Sequence, residues 1–191
     1  TSNGPLRAGK GWCYEGGIRV PLIISGPDVI EPGRIESQPA ISMDYFTTIL
    51  NLVEIEHNAN DGENLVPILI ENKSIERDEL FWHYPHYHGS AWKPGSALRK
   101  GNWKLVLPHS WQSYNTKPGM DGHGGKRIRM KIEEPELYEM MRDPGEQYNV
   151  IAYNPEKVAE LMKVVETARV ELGDLNVGIE KGAGTREIGK K

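Results

Sequence analysis

Residues 5–24 read PLRAGKGWCYEGGIRVPLII, and the rest of the chain is interpreted outward from this stretch. Lys10 stands between two glycines, ahead of an apolar, β-branched segment that is typical of a buried strand over residues 20–25. Glycines beside Lys10 let the backbone approach a ligand closely, and the ammonium group suits an oxyanion such as sulfate or phosphate. Since loops of this composition are more often simple solvated turns, both interpretations stay open on the loop alone.

The composition is that of an ordinary globular protein and argues against several classes. The chain has 191 residues, 38% of them hydrophobic, which is enough for one sizeable core or two small ones. No apolar run approaches the roughly 18 residues that a membrane span needs. A net charge of −4 argues against a nucleic-acid-binding domain. The single cysteine, Cys13, excludes an internal disulfide framework and leaves the compartment open.

Two runs in the opening stretch carry a family resemblance. LRAGKG at residues 6–11 and YEGGIRVP at residues 14–21 resemble the segment of type I sulfatases that holds the lysine contacting the sulfate ester. These arylsulfatase-like enzymes of the alkaline phosphatase superfamily depend on formylglycine and Ca²⁺. The resemblance implies a sulfuric ester hydrolase in which Lys10 is the catalytic, sulfate-contacting lysine. It also favours a periplasmic or extracellular location.

The other catalytic groups of that family have no counterpart here. The family's formylglycine arises in a Cys/Ser-x-Pro-x-Arg motif, whereas Cys13 is followed by YEG, and SQPAI at residues 37–41 lacks the arginine. The family's Asp-Asn metal ligands lie upstream of the lysine loop, and no aspartate precedes Asn3. We therefore expect a C-terminal portion of a longer sulfatase, without Ca²⁺ ligands or the formylglycine nucleophile and inactive by itself.

A second dense passage, LFWHYPHYHG at residues 80–89, predicts an aromatic strand that ends at Pro85. It is similar to a family segment near the sulfate pocket, which implies that His83, Tyr84 and His86 bind substrate. Their flat apolar faces and hydrogen-bonding atoms suit a sugar or aryl ring that carries a charged ester. Two alternatives stay open: structural, hydrogen-bonded histidines, or a zinc site through His86 and His88, for which further ligands are missing.

The following segments predict an antiparallel sheet. SALRKGNWKLVL at residues 96–107 indicates a hairpin and resembles a signature of the sulfatase C-terminal subdomain. Its Arg99, Lys100 and Lys104 are expected at an exposed sheet edge, with steering of an anionic glycan as the alternative. Residues 109–126 predict a long loop in which Trp111 lines the substrate pocket. Residues 128–132 alternate as a half-exposed strand does.

Two helices are predicted. Ser42 is a plausible N-cap for a helix that buries the stripe of Phe46, Ile49, Leu50 and Val53. Asp44, near its start, could be a catalytic carboxylate, but its position favours a structural role at the helix dipole. From Asn154 and Pro155 a second helix runs to Leu172, and we expect it to lie across the sheet formed by the hairpin and the strands near 80 and 130.

The fold class expected is α/β, and α+β within this fragment. Residues 1–75 would be the end of the catalytic α/β domain, residues 76–173 an antiparallel-sheet subdomain with a packed helix, and residues 174–191 a flexible tail. The partners implied are a sulfated small molecule or glycan and the rest of the sulfatase chain, with no nucleic acid and no membrane. Two other functions stay open: a noncatalytic sulfated-glycan-binding or scaffold fragment, and a phosphodiesterase or phosphonate hydrolase of the same superfamily.

Overall fold

The computed structural model describes residues 3–26, 30–58, 60–77, 79–84, 95–108, 113–116, 127–130 and 134–172. Contacts divide the chain into two compact units: unit 1 comprises residues 1–20 and 79–191, and unit 2 comprises residues 21–78. The opening stretch, up to Val20, therefore packs with residues that follow position 78. The assignment of residues 1–75 to a catalytic α/β domain stays a prediction.

Across the described residues, the secondary structure consists of short helices, six strands and one long helix. The helices are α1 (Glu15–Ile18), α2 (Asp44–Leu52), α3 (Val66–Leu69) and α4 (Pro155–Glu171), with a 3-10 turn at Ile151–Tyr153. The strands are β1 (Leu80–Tyr84), β2 (Gly95–Lys100), β3 (Trp103–Pro108), β4 (Ser113–Thr116), β5 (Arg127–Met130) and β6 (Glu136–Glu139). Within the described ranges, no helix is long and apolar enough to cross a membrane.

A four-stranded antiparallel sheet in the order β1-β2-β3-β6 forms the centre of unit 1. The predicted hairpin is confirmed, because β2 and β3 pair from Lys100 and Trp103 outward. Its turn contains Gly101 with a φ of 56°, a left-handed conformation that glycine adopts without steric cost. The antiparallel sheet with packed helices confirms the expected α+β class for this part of the chain.

The two faces of the sheet are covered by different parts of unit 1, because side chains alternate along each strand. The helix face carries Leu98, Leu105, Leu107 and Leu137, which pack against Leu161 and Val165 of α4. The loop face carries Ala97, Val106, Tyr138 and Met140, which pack against Trp12, Cys13 and Tyr14 of the opening stretch. The sheet thus holds α4 on one side and the lysine-bearing stretch on the other.

The strand predicted near residue 130 is present as β5, but the prediction that it joins the central sheet is wrong. β5 pairs with β4 in a separate two-stranded ladder, so it does not belong to the central sheet. The fourth strand of that sheet is β6, which joins β3 through the pair Leu105 and Leu137. β6 was not predicted from the sequence because the strand is only four residues long and lacks a clear alternating pattern.

Unit 2 departs most from the sequence predictions. Residues 21–25 are exposed and belong to no strand, and Ile23 is 91% exposed. In α2 the buried side chains include Thr47 and Thr48, whereas Phe46 is 59% exposed, so the predicted buried stripe is wrong. A strand needs a neighbour for its backbone groups, and an apolar stripe needs a surface to cover it. The described residues of unit 2 supply neither.

The buried carboxylate of Asp44 connects several segments of unit 2 through hydrogen bonds. Its Oδ2 atom accepts hydrogen bonds from the Ile41 N–H at 2.7 Å and from the Arg77 guanidinium at 2.6 Å. Its Oδ1 atom accepts the Glu63 N–H at 2.9 Å. The side chain is fully buried, so it joins segments that precede and follow α2. These contacts favour the structural role over the catalytic alternative.

We predict that Asp44→Ala destabilises unit 2 by about 3–5 kcal/mol, because it leaves the buried Arg77 guanidinium without its ionic partner. Chemical denaturation would measure this as a lower transition midpoint. Glu71→Gln is the matched control, since it breaks the exposed Lys73–Glu71 ion pair and should leave the midpoint almost unchanged. Equal midpoints for Asp44→Ala and the parent would contradict the structural role.

Candidate functional site

The Lys10 loop, defined as residues 7–17, lies on the loop face of the sheet and folds back on itself. The Trp12 N–H donates to the Gly9 carbonyl at 3.2 Å, and the Gly16 N–H donates to the Arg7 carbonyl at 2.8 Å. Lys10 itself is exposed between these two closures. The loop therefore has a hydrogen-bonded backbone and presents an ammonium group outward.

The paired glycines Gly16 and Gly17 permit this close folding. A Cβ atom on Gly16 would lie 2.4 Å from the Arg7 carbonyl oxygen. One on Gly17 would lie 2.1 Å from the Trp12 oxygen and 2.6 Å from the Gly9 oxygen. Because these obstacles are backbone atoms of the loop, a side chain at either position would push the loop away from α1.

We predict that Gly17→Ala displaces the Lys10 loop and destabilises unit 1 by about 1–3 kcal/mol, the usual cost of an added buried methyl group that cannot be accommodated. Gly9→Ala is the matched control in the same loop, because a Cβ there meets nothing within 4 Å. Thermal denaturation of both variants would compare them. A Gly17→Ala variant that is as stable as Gly9→Ala would show that the close approach is not needed.

A lysine buried in β3 lies beneath the loop. Lys104 is fully buried, with Nζ 2.9 Å from Glu15 Oε1 and 2.7 Å from Glu146 Oε1. Glu146 Oε2 also accepts the backbone N–H of Glu15 at 2.7 Å. Burial raises the pKa of the Glu146 carboxyl, and the Lys104 charge opposes that rise. We call Lys104, Glu15 and Glu146 the buried ion triad.

The triad corrects one sequence prediction. Lys104 was expected at an exposed sheet edge, yet β3 lies between β2 and β6 and its loop face is covered. Glu15 and Glu146 were not recognised as site residues. Residues 143–146 form a turn in which the Glu146 N–H donates to the Asp143 carbonyl at 3.1 Å, and nothing in the sequence indicated that the Glu146 side chain points inward.

Arg7 forms a second buried charged group at the start of the loop. Its guanidinium lies 3.8 Å from the Tyr14 ring centroid and 3.3 Å from Glu136 Oε1. It donates to the Tyr138 hydroxyl and, at 3.2 Å, to the Glu146 carbonyl, while the Tyr14 hydroxyl donates to Glu136. Burial raises the pKa of Tyr14 and of Tyr138, so both remain phenols. Charged groups thus hold the loop at both ends.

The predicted substrate-binding residues divide between the two faces of the sheet. Tyr84 packs against the cluster of Trp12 and Tyr14 on the loop face. His83 lies on the helix face, where its Nδ1 is 2.9 Å from Ser96 Oγ and its ring stacks on Phe81 with centroids 6.1 Å apart. The structure therefore brings Tyr84, but not His83, to the face that holds the Lys10 loop.

Two further predicted site residues, His86 and Trp111, lie outside the described residues, as does His88 of the zinc alternative. In the part of the chain that the structure describes, no three or more His, Cys, Asp or Glu residues are grouped to hold a metal ion. The described residues therefore offer no ligand set for the Ca²⁺ ion that the family resemblance implies.

Cys13 has the environment of a structural thiol. It is buried within the apolar cluster of the loop face, and burial raises the pKa of its thiol to about 12. Because the thiolate is the nucleophilic form, Cys13 is unreactive at neutral pH while the chain is folded.

We predict that Cys13 resists iodoacetamide at about pH 8.5 in the native protein and reacts readily after denaturation, when its pKa returns to the ordinary range. Mass spectrometry would report this directly, because Cys13 is the sole cysteine of the chain. Fast labelling in native buffer, at a rate matching that in denaturant, would contradict the buried position.

Comparison with known proteins identifies the family. A family model described as N-sulphoglucosamine sulphohydrolase, C-terminal, matches residues 8–118, more than half of the chain. This chain belongs to the sulfatase family. It is 32% identical over 163 residues to a sulfatase of Formosa agariphila, an alignment that covers 81% of this chain and 27% of the relative. It is 27% identical over 182 residues to arylsulfatase A of Homo sapiens, covering 94% and 35%. The chain thus spans about a third or less of these relatives.

Solved structures show the same fold in other sulfatases. The PsFucS1 sulfatase from Pseudoalteromonas sp. superposes with a TM-score of 0.59 at 21% identity, covering 91% of this chain and 34% of that one. A chain from a study of glycosaminoglycan metabolism by Bacteroides thetaiotaomicron gives a TM-score of 0.58 at 23% identity, covering 82% and 30%. The membership of the sulfatase family and the α+β architecture expected from the sequence are both confirmed.

Proposed function

We propose that this chain supplies the sulfate-contacting lysine and part of the substrate pocket of an arylsulfatase-like sulfuric ester hydrolase. The observation that carries the proposal is the placement of Lys10, an exposed ammonium on a loop whose ends are held by buried charges. Exposure lets the ammonium meet an anion, and a fixed backbone avoids reorganisation as the reaction proceeds. Membership of the sulfatase family favours a sulfate ester as that anion.

In this proposal Lys10 neutralises sulfate oxygens, whose charge shifts as the sulfur separates from the departing alcohol. Tyr84 is the described candidate for contact with the organic part of the substrate, because it lies on the loop face. His83, His86 and Trp111 stay predicted contacts. In this proposal the contribution of the chain is substrate binding and charge neutralisation.

The activity of a whole sulfatase is part of the proposal, because the chain spans only 27–35% of the relatives just described. Unit 2 supports the presence of further polypeptide around it. Ile23, Ile35, Phe46 and Ile49 are all more than half exposed, which is unusual for residues of this size in a complete globular core. The remaining sulfatase chain is therefore the proposed protein partner, and a sulfated small molecule or glycan the proposed substrate.

A noncatalytic role is the second candidate. It is favoured by the exposed Lys10 ammonium, which could bind a sulfated sugar without cleaving it. Calorimetric titration of the 191-residue chain with sulfated and unsulfated forms of one oligosaccharide separates the two roles. Selective, tight binding by the chain alone would favour the noncatalytic role.

We predict that Lys10→Ala in a full-length protein lowers kcat for 4-nitrophenyl sulfate by about a hundredfold or more, because a preorganised charge is removed from the transition state. The melting temperature should stay near that of the parent, since Lys10 is exposed. Lys100→Ala, at the end of β2, is the matched control and should retain parental turnover.

Turnover of Lys10→Ala within about threefold of the parent would contradict the assignment of Lys10, because the loss of a contact to the reacting group is expected to cost far more. A parallel assay with 4-nitrophenyl phosphate and a phosphodiester tests the remaining alternative. A preference for either phosphate compound over the sulfate would favour a phosphoryl-transfer function, since a lysine alone does not distinguish these tetrahedral anions.

A further inference from the structure

We infer that the buried ion triad of Lys104, Glu15 and Glu146 is a positioning device for Lys10, which fixes the Lys10 loop on β3 and thereby sets where the ammonium stands. The inference rests on the proposed function of Lys10 and adds the residues that act through it. None of the three side chains is more than 3% exposed, so they do not reach substrate themselves. They are positioning residues rather than catalytic ones.

Glu15 is held through both its side chain and its backbone. Its carboxylate contacts Lys104 at 2.9 Å, and its N–H donates to Glu146 at 2.7 Å. Two contacts from one residue define an orientation as well as a position, and the start of α1 is fixed accordingly. From there the chain reaches Lys10 through Tyr14 and Trp12, which are themselves buried on the sheet.

Lys104 provides a rigid base for these contacts. It lies in β3, which is hydrogen-bonded to β2 on one side and to β6 on the other. Its Nζ is also 5.9 Å from the ring centroid of Trp82 in β1, so the charge is surrounded by the sheet as well as by the loop. Because the sheet holds Lys104 in place, Lys104 would not move with a displaced Glu15. The Lys10 loop would then lose the ion pair that fixes its position on β3.

The presence of charged side chains in the triad indicates that it orients the Lys10 loop in addition to stabilising it. Apolar side chains of similar volume would hold the loop on the sheet as strongly as a buried ion cluster does, because desolvation offsets much of the ionic attraction. They would not specify a direction, whereas ionic hydrogen bonds do. A catalytic lysine needs that direction, since small misplacements of a charge lower the rate strongly.

A double-mutant cycle in a full-length protein tests the inference. Glu15→Gln keeps the size of the side chain and removes its charge. We expect it to lower kcat by about tenfold or more, with little change in KM, because Lys10 moves from its transition-state position. In a Lys10→Ala background the same change should lower kcat by less than about threefold, because there is no longer an ammonium to position.

Hydrogen exchange supplies a readout that is independent of catalysis. In Glu15→Gln, the amides of Trp12 and Gly16, which close the Lys10 loop, should exchange faster relative to the amide of Leu105 in the middle of β3. Val165→Ala is the matched control, since it truncates a buried side chain on the helix face. It should lower the melting temperature without changing that exchange ratio or kcat/KM.

The outcomes are distinguishable. Equal loss of kcat from Glu15→Gln in both backgrounds, or an exchange ratio like that of Val165→Ala, would overturn the positioning role. A fully active Glu15→Gln beside an impaired Lys10→Ala would overturn this inference alone, whereas a fully active Lys10→Ala would overturn the proposed function and the inference with it. Should Glu15→Gln fail to fold, Glu146→Gln replaces it with the same expected results, because it removes the second carboxylate charge that contacts Lys104 and accepts the Glu15 N–H.

Discussion

The structure of unit 1 depends on one buried ammonium, that of Lys104, which lies between the carboxylates of Glu15 and Glu146. Taking three charged groups out of water is costly unless each finds its partners, so a structure that buries Lys104 must also bring both glutamates to it. Those glutamates come from the opening stretch and from the turn that follows β6, which are far apart in sequence. This requirement joins the glycine-rich loop, the middle of the sheet and the turn at residues 143–146 into one arrangement.

Different interactions hold α4 on the helix face of the sheet and the Lys10 loop on the loop face. On the helix face, leucines of β2, β3 and β6 pack against α4, and this apolar contact tolerates small changes of orientation. On the loop face, apolar packing by Trp12, Cys13 and Tyr14 is combined with ion pairs and charged hydrogen bonds, which are directional. The directional contacts are therefore found on the face that presents Lys10. That distribution is what a site needs when one charge must be held in a defined place.

Unit 2 is organised largely by hydrogen bonds around Asp44 and by a modest amount of apolar burial. Its buried side chains include Thr47, Thr48, Leu65 and Ile68, whereas several of its largest apolar residues are exposed. The sequence pattern predicted burial for residues 20–25 and for the stripe of α2, whereas residues 20–25 and most of that stripe are exposed in the structure. It could not show whether the described part of the chain contains the surface that buries them. Apolar periodicity indicates that a surface favours burial, but it does not identify the segment that covers it.

Local chemistry in the sequence determined the β2–β3 hairpin, the start of α4 at Pro155 and the family-like Lys10 loop, because turn residues, proline and glycine act over a few neighbouring positions. Only the tertiary structure decided that Lys104 is buried, that β6 rather than β5 completes the sheet, and that His83 and Tyr84 lie on opposite faces. Each of these depends on which strands become neighbours and which face each segment covers. Strand neighbours and covered faces are set by contacts between distant segments. The sequence around a strand lysine is therefore the same whether its side chain faces water or two buried carboxylates.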